Sequence, residues 1–247
     1  MHFSYTLPYP HKLDEKDLQA SQMIKQHGRA PTHIFVVPPN VFAVEFFASG
    51  GGAAGEVADV KNKTAGAGGD AGQTARKRLD VRPGQRFEIF VGRGGFFTTQ
   101  NEQQMLTALQ LEHHVYEKHV PQDTIVVDCL AQQTIIVARG GRGFCGGKSI
   151  PKELHAQSGI ASLHNAGSGY CNAEGKWIGS GGAGGGGRYG GTGGSIHSNC
   201  RSTKAGDADP STGCGGGGSA IVENDQHAKH HLPGNGADGF VQILSFI

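Results

Sequence analysis

The chain has 247 residues, enough for one compact domain with a short arm attached. Its 22 basic and 21 acidic residues leave a net charge of +1, which excludes the strongly basic balance of a nucleic-acid or anionic-membrane binder. Apolar residues make up only 36% and glycine supplies 42 positions, so a core built from side chains alone would be small.

Residues 1–33 read as an N-terminal arm that attaches the chain to a larger assembly or braces the domain. Tyr5 to Pro10 is extended and broken by proline, and Leu13, Leu18, Met23 and Ile24 fall on one side of a short helix that ends by Gly28. The opening residues, Met1-His2-Phe3-Ser4-Tyr5, lack the basic and apolar regions of a secretory signal. The expectation is a chain that stays inside the producing cell, or one whose signal has been removed.

Residues 34–247 read as the main domain. Ile34 to Val37 and Val41 to Ala48 are strands rich in branched and aromatic residues, hinged at Pro38-Pro39-Asn40. Gly50-Gly51-Gly52 and the run Gly66 to Gly72 follow. Thr74 to Val81 and Arg86 to Val91 form the next strand pair around a turn at Pro83-Gly84. In the second of these, Phe87, Ile89 and Val91 alternate with Glu88 and Phe90, as in a half-buried strand. Arg76, Lys77, Arg78 and Arg82 read as a solvated strand edge rather than a phosphate-binding patch.

An insertion from about 98 to 123 carries the best helical candidate in the domain. Met105, Leu106, Leu109 and Val115 recur at helical spacing between Asn101 and His119, and Pro121 ends the element. Thr124 to Val127 and Thr134 to Ala138 are further strands. After Gly140 the chain is nearly all glycine-rich connection until Gly239, and Phe240 to Ile247 is a terminal strand.

The late half is organised around Gly179 to Ser195. Gly181, Gly184, Gly187, Gly190 and Gly193 fill one frame of three, and Gly182, Gly185, Gly191 and Gly194 fill a second, interrupted by Arg188. The third frame carries Ser180, Ala183, Tyr189, Thr192 and Ser195. Three residues per turn is the period of the polyproline II helix, which makes no internal hydrogen bonds. Bare faces let such rods pack side by side and pair their backbone groups with neighbours. Collagen is excluded because the stretch has no proline. A flexible glycine/serine linker is the alternative. Gly66, Gly69 and Gly72, and again Gly140, Gly143 and Gly146, keep the same register and favour rods.

The fold class is therefore all-β: a β-sandwich or jelly-roll frame with polyglycine II segments and one or two short helices. Catalytic and cofactor signatures fail on context. Gly141-Arg-Gly-Phe-Cys-Gly146 matches GxGxxG without the following helix and parallel strand of a dinucleotide site. Gly147-Lys148-Ser149 resembles a P-loop ending, but Arg142 stands where the first glycine belongs. His227 and His231, and the cluster His113, His114 and His119, form no HExxH, and no cysteine pair has zinc-finger spacing. There is no GxSxG elbow. The five cysteines (129, 145, 171, 200 and 214) are odd in number and form no CxxC, which favours free thiols in a reducing compartment. No enzyme, cofactor or metal site is expected. Tyr170, Trp177, Arg188 and Tyr189 lie where few neighbours can bury a large ring, and they are the candidate partner-binding residues. Trp177 reads equally well as a plug for the end of the bundle.

Four landmarks carry a resemblance. The run Phe35-Val-Val-Pro-Pro-Asn-Val-Phe-Ala-Val-Glu-Phe-Phe-Ala-Ser-Gly-Gly-Gly resembles the opening strands of glycine-rich domain proteins found among bacteriophage tail and tail-fibre components. Gly68-Gly-Asp-Ala-Gly, then Pro83-Gly-Gln and Val91-Gly-Arg-Gly-Gly, are similar to that family's centre. Ile136-Val-Ala-Arg-Gly-Gly-Arg-Gly and Gly236-Ala-Asp-Gly-Phe-Val-Gln-Ile-Leu are similar to its third and last landmarks. The resemblance spans roughly residues 34–247; the arm and the insertion depart from it. It implies a β-sandwich with polyglycine II segments, acting as a structural or receptor-binding (adhesin-like) part of a virion assembled in the host cytoplasm. The implied partners are other virion subunits, reached through the arm, and a host-surface receptor. The glycine-rich extracellular region of anaplastic-lymphoma-kinase-type receptors is similar in architecture, so an extracellular ligand-binding module of a cellular protein is the alternative.

Overall fold

The computed structural model describes residues 2–9, 29–57, 66–99, 116–141, 169–171, 177–179, 184, 189–191, 205–222 and 233–247. These form thirteen strands and, among the described residues, no α-helix. In chain order they are β1 (His2–Pro8), β2 (His33–Val36), β3 (Ala43–Ser49), β4 (Thr74–Asp80), β5 (Arg86–Phe90), β6 (Phe96–Thr99) and β7 (Tyr116–His119). Then come β8 (Thr124–Asp128), β9 (Gln133–Ala138), β10 (Gly169–Cys171), β11 (Trp177–Gly179), β12 (Ile221–Val222) and β13 (Phe240–Phe246).

Two four-stranded antiparallel sheets, ordered β1-β13-β3-β4 and β2-β5-β8-β9, form a sandwich. Alternation decides the inward set. Val44, Phe46 and Ala48 of β3 and Val241 and Ile243 of β13 meet Phe87, Ile89, Val126 and Ile136 of the other sheet in one buried core. Three phenylalanines join the sheets. Phe46 meets Phe87 edge-on at 5.0 Å between centroids, and Phe35 meets Phe46 at 6.2 Å and 90°. The half-buried reading of β5 is corrected. Phe87 to Phe90 are all buried, Glu88 with only 5% exposure, so both faces of β5 are covered.

The edge reading of the basic cluster is observed at β4, where Arg76, Lys77 and Arg78 are exposed on an edge strand. Arg76 donates to both Glu45 carboxylate oxygens, at 2.7 and 2.8 Å, and this holds Glu45 below its usual carboxylate range. The Arg78 guanidinium lies 4.4 Å from the centre of the Phe246 ring.

The two ends of the sandwich differ in kind. At one end the connections are tight turns. Pro38 to Val41 closes with Asn40 at φ 67°, and Arg82 to Gln85 closes with Gly84 at φ 80°, the position where a type II turn demands a positive φ. The Asp128 carboxylate accepts from the Leu130 and Ala131 amides to shape the β8–β9 turn. At the other end β3, β5 and β9 run out into glycine-rich segments, and β4 and β13 are entered from them.

Three expectations about helices and connections resolve differently. The predicted helix over 101–119 is overturned at its end, since Tyr116–His119 is a strand paired with Phe96–Thr99. The rest of that helix, and the one predicted between Leu13 and Gly28, lie outside the described residues. The glycine-rich connection after Gly140 contains a further three-stranded sheet, β10-β11-β12, that periodicity did not reveal. Residues 2–8 of the segment read as an arm form an edge strand antiparallel to β13.

Arg29 clips the approach to β2 to the ends of β5 and β8 in the same sheet. Its guanidinium donates to the carbonyls of Val91 at 3.1 Å and Phe90 at 3.4 Å, to the Gln122 side chain at 2.5 Å, and to the carbonyl of Asp123. Burial pushes its pKa down, offset in part by Tyr9 and Asp123. Arg29→Ala is expected to cost about 1.5–3 kcal/mol, the range for hydrogen bonds to charged groups. Arg29→Lys should recover only part of it, because a single ammonium cannot fork across these acceptors. Urea unfolding of the two variants measures both.

Candidate binding surface at the glycine end

Residues 50–56 thread the middle of the glycine half. Their N–H groups donate in three directions, two of which recur every third residue. Gly50, Ala53 and Glu56 donate to Gln73, Asp70 and Ala67; Gly52 and Gly55 donate to Ala237 and Gly234; Gly51 donates to Gln122. Their carbonyls accept from three other runs: Gly216 and Ser219 donate to Ala53 and Glu56, Gly95 to Gly52, and Gly141 to Gly51, at 2.8 to 3.0 Å. One extended segment is thus surrounded by six others. This is polyglycine II packing, in which a threefold rod with no internal hydrogen bonds turns every peptide group outward to a neighbour.

The same step of three recurs through the bundle. Gly66, Gly69 and Gly72 donate to Ser219, Gly216 and Gly213, and Gly236 and Gly239 donate to Gly95 and Gly92. The spacing leaves no room for a side chain. A Cβ on Gly52 would lie 1.8 Å from the Cys214 carbonyl oxygen, and one on Gly234 would lie 1.7 Å from that of Gly206. At several positions a side chain takes the amide instead of a rod. The Asp238, Asp123 and Asp207 carboxylates accept from the amides of Gly94, Gly140 and Asn235, at 2.7, 2.8 and 2.6 Å, and the Thr124 hydroxyl accepts from Gly92 at 2.8 Å.

The candidate residues sit on this scaffold in separate places. Tyr170 belongs to β10 and Trp177 to β11, and the register sets Tyr170 against Ile178 and Trp177 against Cys171. β11 pairs in turn with β12, which directly follows the run 213–220, so the small sheet is tied to the end of a rod. The side chains of Tyr170 and Trp177, and all of Arg188, lie outside the described residues. Tyr189 is 41% exposed. Its backbone is fixed: the Tyr189 carbonyl accepts from Asp209, Gly191 donates to Gly215, and Gly184 donates to Gly191. A large ring on a pinned backbone is a low-entropy contact element.

A second feature was not foreseen. The Arg93 guanidinium carbon lies 4.1 Å from the centre of the Phe96 ring, and Phe96 stacks on His119 at 4.2 Å with 10° between planes. Arg93 is exposed at its outer side, so a cation, a phenyl and an imidazole form one layered platform. The pairing of Phe96 with His119 in the β6–β7 hairpin creates it. Only that register, hidden beneath the helical spacing of 105–115, could have signalled it.

Neither described thiol is poised for chemistry. Cys129 and Cys214 are both reduced, and burial pushes both pKa values up, with Glu88 adding to the effect at Cys129. Among the described residues no three His, Cys, Asp or Glu side chains converge on a metal-sized site. His227, His231, His113, His114, residues 142–146 of the GxGxxG match and Gly147-Lys148-Ser149 lie outside the described residues.

No curated protein matches the chain. Residues 29–110 match a family model described as a glycine-rich domain; this span takes in the sandwich strands β2 to β5, the hairpin strand β6 and the rods at 50–56, 66–73 and 92–95. The chain carries a glycine-rich domain.

Proposed function

We propose that the protein is a non-enzymatic virion component of the tail or tail-fibre class, either structural or receptor-binding, located in the particle after assembly in the host cytoplasm. The segments between its glycine runs contact a host-surface receptor or a neighbouring virion subunit, and residues 1–33 contact other virion subunits. One observation carries this reading. The glycine runs leave the sandwich from a single end and are locked to one another by backbone hydrogen bonds, so what they carry is displayed on a rigid support. Tyr189, exposed on such a run, is the anchor within the described surface.

Immunogold labelling of particles and of the cells that produce them tests the assignment. Label on particle tails is the expected result. Label confined to cell surfaces overturns it in favour of an extracellular ligand-binding module. In a binding assay with receptor-bearing cells, Tyr189→Ala is expected to weaken attachment by about tenfold or more, the effect of losing a binding hot spot. Its unfolding midpoint should stay unchanged, because the side chain is exposed.

A further inference from the structure

Two sheets have four edges, and three of them are protected. β4 carries Arg76, Lys77, Arg78 and Asp80, all exposed. β2 has only four residues and lies between Pro31 and Pro38. At β9 the pairing with β8 is broken by a register shift at Val126/Val127. Charge, brevity, proline and bulges are the devices that keep sheet edges from pairing with other chains.

β1 has none of them. Its seven residues, His2-Phe-Ser-Tyr-Thr-Leu-Pro8, include no Asp, Glu, Lys or Arg, and proline appears only at the last position. Among the described residues nothing pairs with its outer side. Its inward face is also incompletely covered. The register aligns Phe3 with Ser245 and Val44, and Tyr5 with Ile243 and Phe46, so Phe3 and Tyr5 share the face that builds the core. Phe3 is nonetheless 46% exposed and Tyr5 45%. Phe42 and Ile247, just beyond the ends of β3 and β13, are 60% and 56% exposed. A chain edge and an apolar corner thus open side by side.

The sequence of this edge is self-complementary. Read outward from Tyr5, each direction gives a hydroxyl residue (Ser4 or Thr6) and then an apolar one (Phe3 or Leu7). An antiparallel pair centred on Tyr5 sets Phe3 against Leu7 of the partner strand, Ser4 against its Thr6, and Tyr5 against its own equivalent. Aromatic and apolar pairs then share one face and hydroxyl pairs the other, the combinations that stabilise cross-strand neighbours, and no like charges meet. A twofold axis through an isologous contact needs this symmetry. We infer that two copies of this chain associate through β1, joining their four-stranded sheets into one eight-stranded sheet about a twofold axis at Tyr5.

Analytical ultracentrifugation of the full chain tests the inference. The wild-type protein is expected to sediment at twice 25.8 kDa. Tyr5→Lys and Tyr5→Glu each place like charges face to face and should sediment at 25.8 kDa. An equimolar mixture of the two should return to the doubled mass, because only a twofold contact sets residue 5 against itself. Thr6→Lys, at an exposed position on the other face, should also yield monomers, and it serves should the Tyr5 variants fail to fold. A wild-type protein that stays at 25.8 kDa as concentration rises overturns the inference. So does an oligomer that folded Tyr5 and Thr6 variants leave intact, or a mixture of folded monomeric variants that does not re-associate.

Discussion

Gly52→Ala is expected to lower the unfolding free energy by about 3 kcal/mol or more, at or beyond the upper end of ordinary overpacking penalties. The added methyl meets the Cys214 carbonyl oxygen at 1.8 Å and the Gly213 carbonyl oxygen at 2.8 Å, both backbone atoms that cannot turn aside as a side chain can. Relief requires the run 213–219 to move away. That run is held by Gly72, Gly69 and Gly66 on one side and by Ala237 on another, so moving it strains bonds to several rods together. Gly84→Ala is the informative control. Gly84 has open space around its missing Cβ but a φ of 80°, so its substitution meets only the left-handed backbone cost of about 1–2 kcal/mol. Urea unfolding should rank Gly52→Ala well below Gly84→Ala. Amide exchange in Gly52→Ala should rise at Gly216, Gly234 and Ala237 before it rises in the sandwich strands. Equal costs for the two variants would mean that the rods slide freely, and the bundle would lose its claim to rigidity.

Phe46→Ala is expected to cost about 3–5 kcal/mol, the range for removing a buried phenylalanine. Phe46 is fully buried on β3, with Phe87 at 5.0 Å and Phe35 at 6.2 Å from its ring centre. Both neighbours belong to the opposite sheet, so truncation opens a cavity between layers that fixed backbones cannot close. Leu130, 78% exposed in the β8–β9 turn, provides the comparison, and Leu130→Ala should stay within about 0.5 kcal/mol of wild type. Thermal or urea unfolding reads both. A Phe46 cost below about 1 kcal/mol would mean the sandwich tolerates voids that packed cores ordinarily do not.

The frame was legible because its strands announce themselves twice. Period-two burial marks β3 and β13, and proline, glycine or asparagine punctuates the turns at 38–41 and 82–85. At residues 66–72 rod packing was legible from register alone, whereas most of 179–195, on which that reading centred, lies outside the described residues. The interval of three between Gly66, Gly69 and Gly72 is the interval at which they donate to Ser219, Gly216 and Gly213. Local signals misled where a partner distant in sequence decided the outcome. Met105 to Val115 has helical spacing, yet Tyr116–His119 extends because Phe96–Thr99 offers it a strand to pair with. Glu88 looked outward by its chemistry and is buried, which the alternation within β5 alone did not signal. Of the candidate surface, Tyr189 could be named from composition. The Arg93–Phe96–His119 stack could not, because only the hairpin register brings its last member to the first two.

The rod at 50–56 also dictates when the protein can finish folding. It is synthesised well before the acceptors of its Gly52 and Gly55 amides, Ala237 and Gly234, which lie far later along the chain. Until then the central thread has an incomplete sheath and its backbone stays wet. Assembly of the glycine half is therefore a late event dominated by contacts between remote segments, the circumstance in which folding is slow and newly made chains depend longest on protection from aggregation.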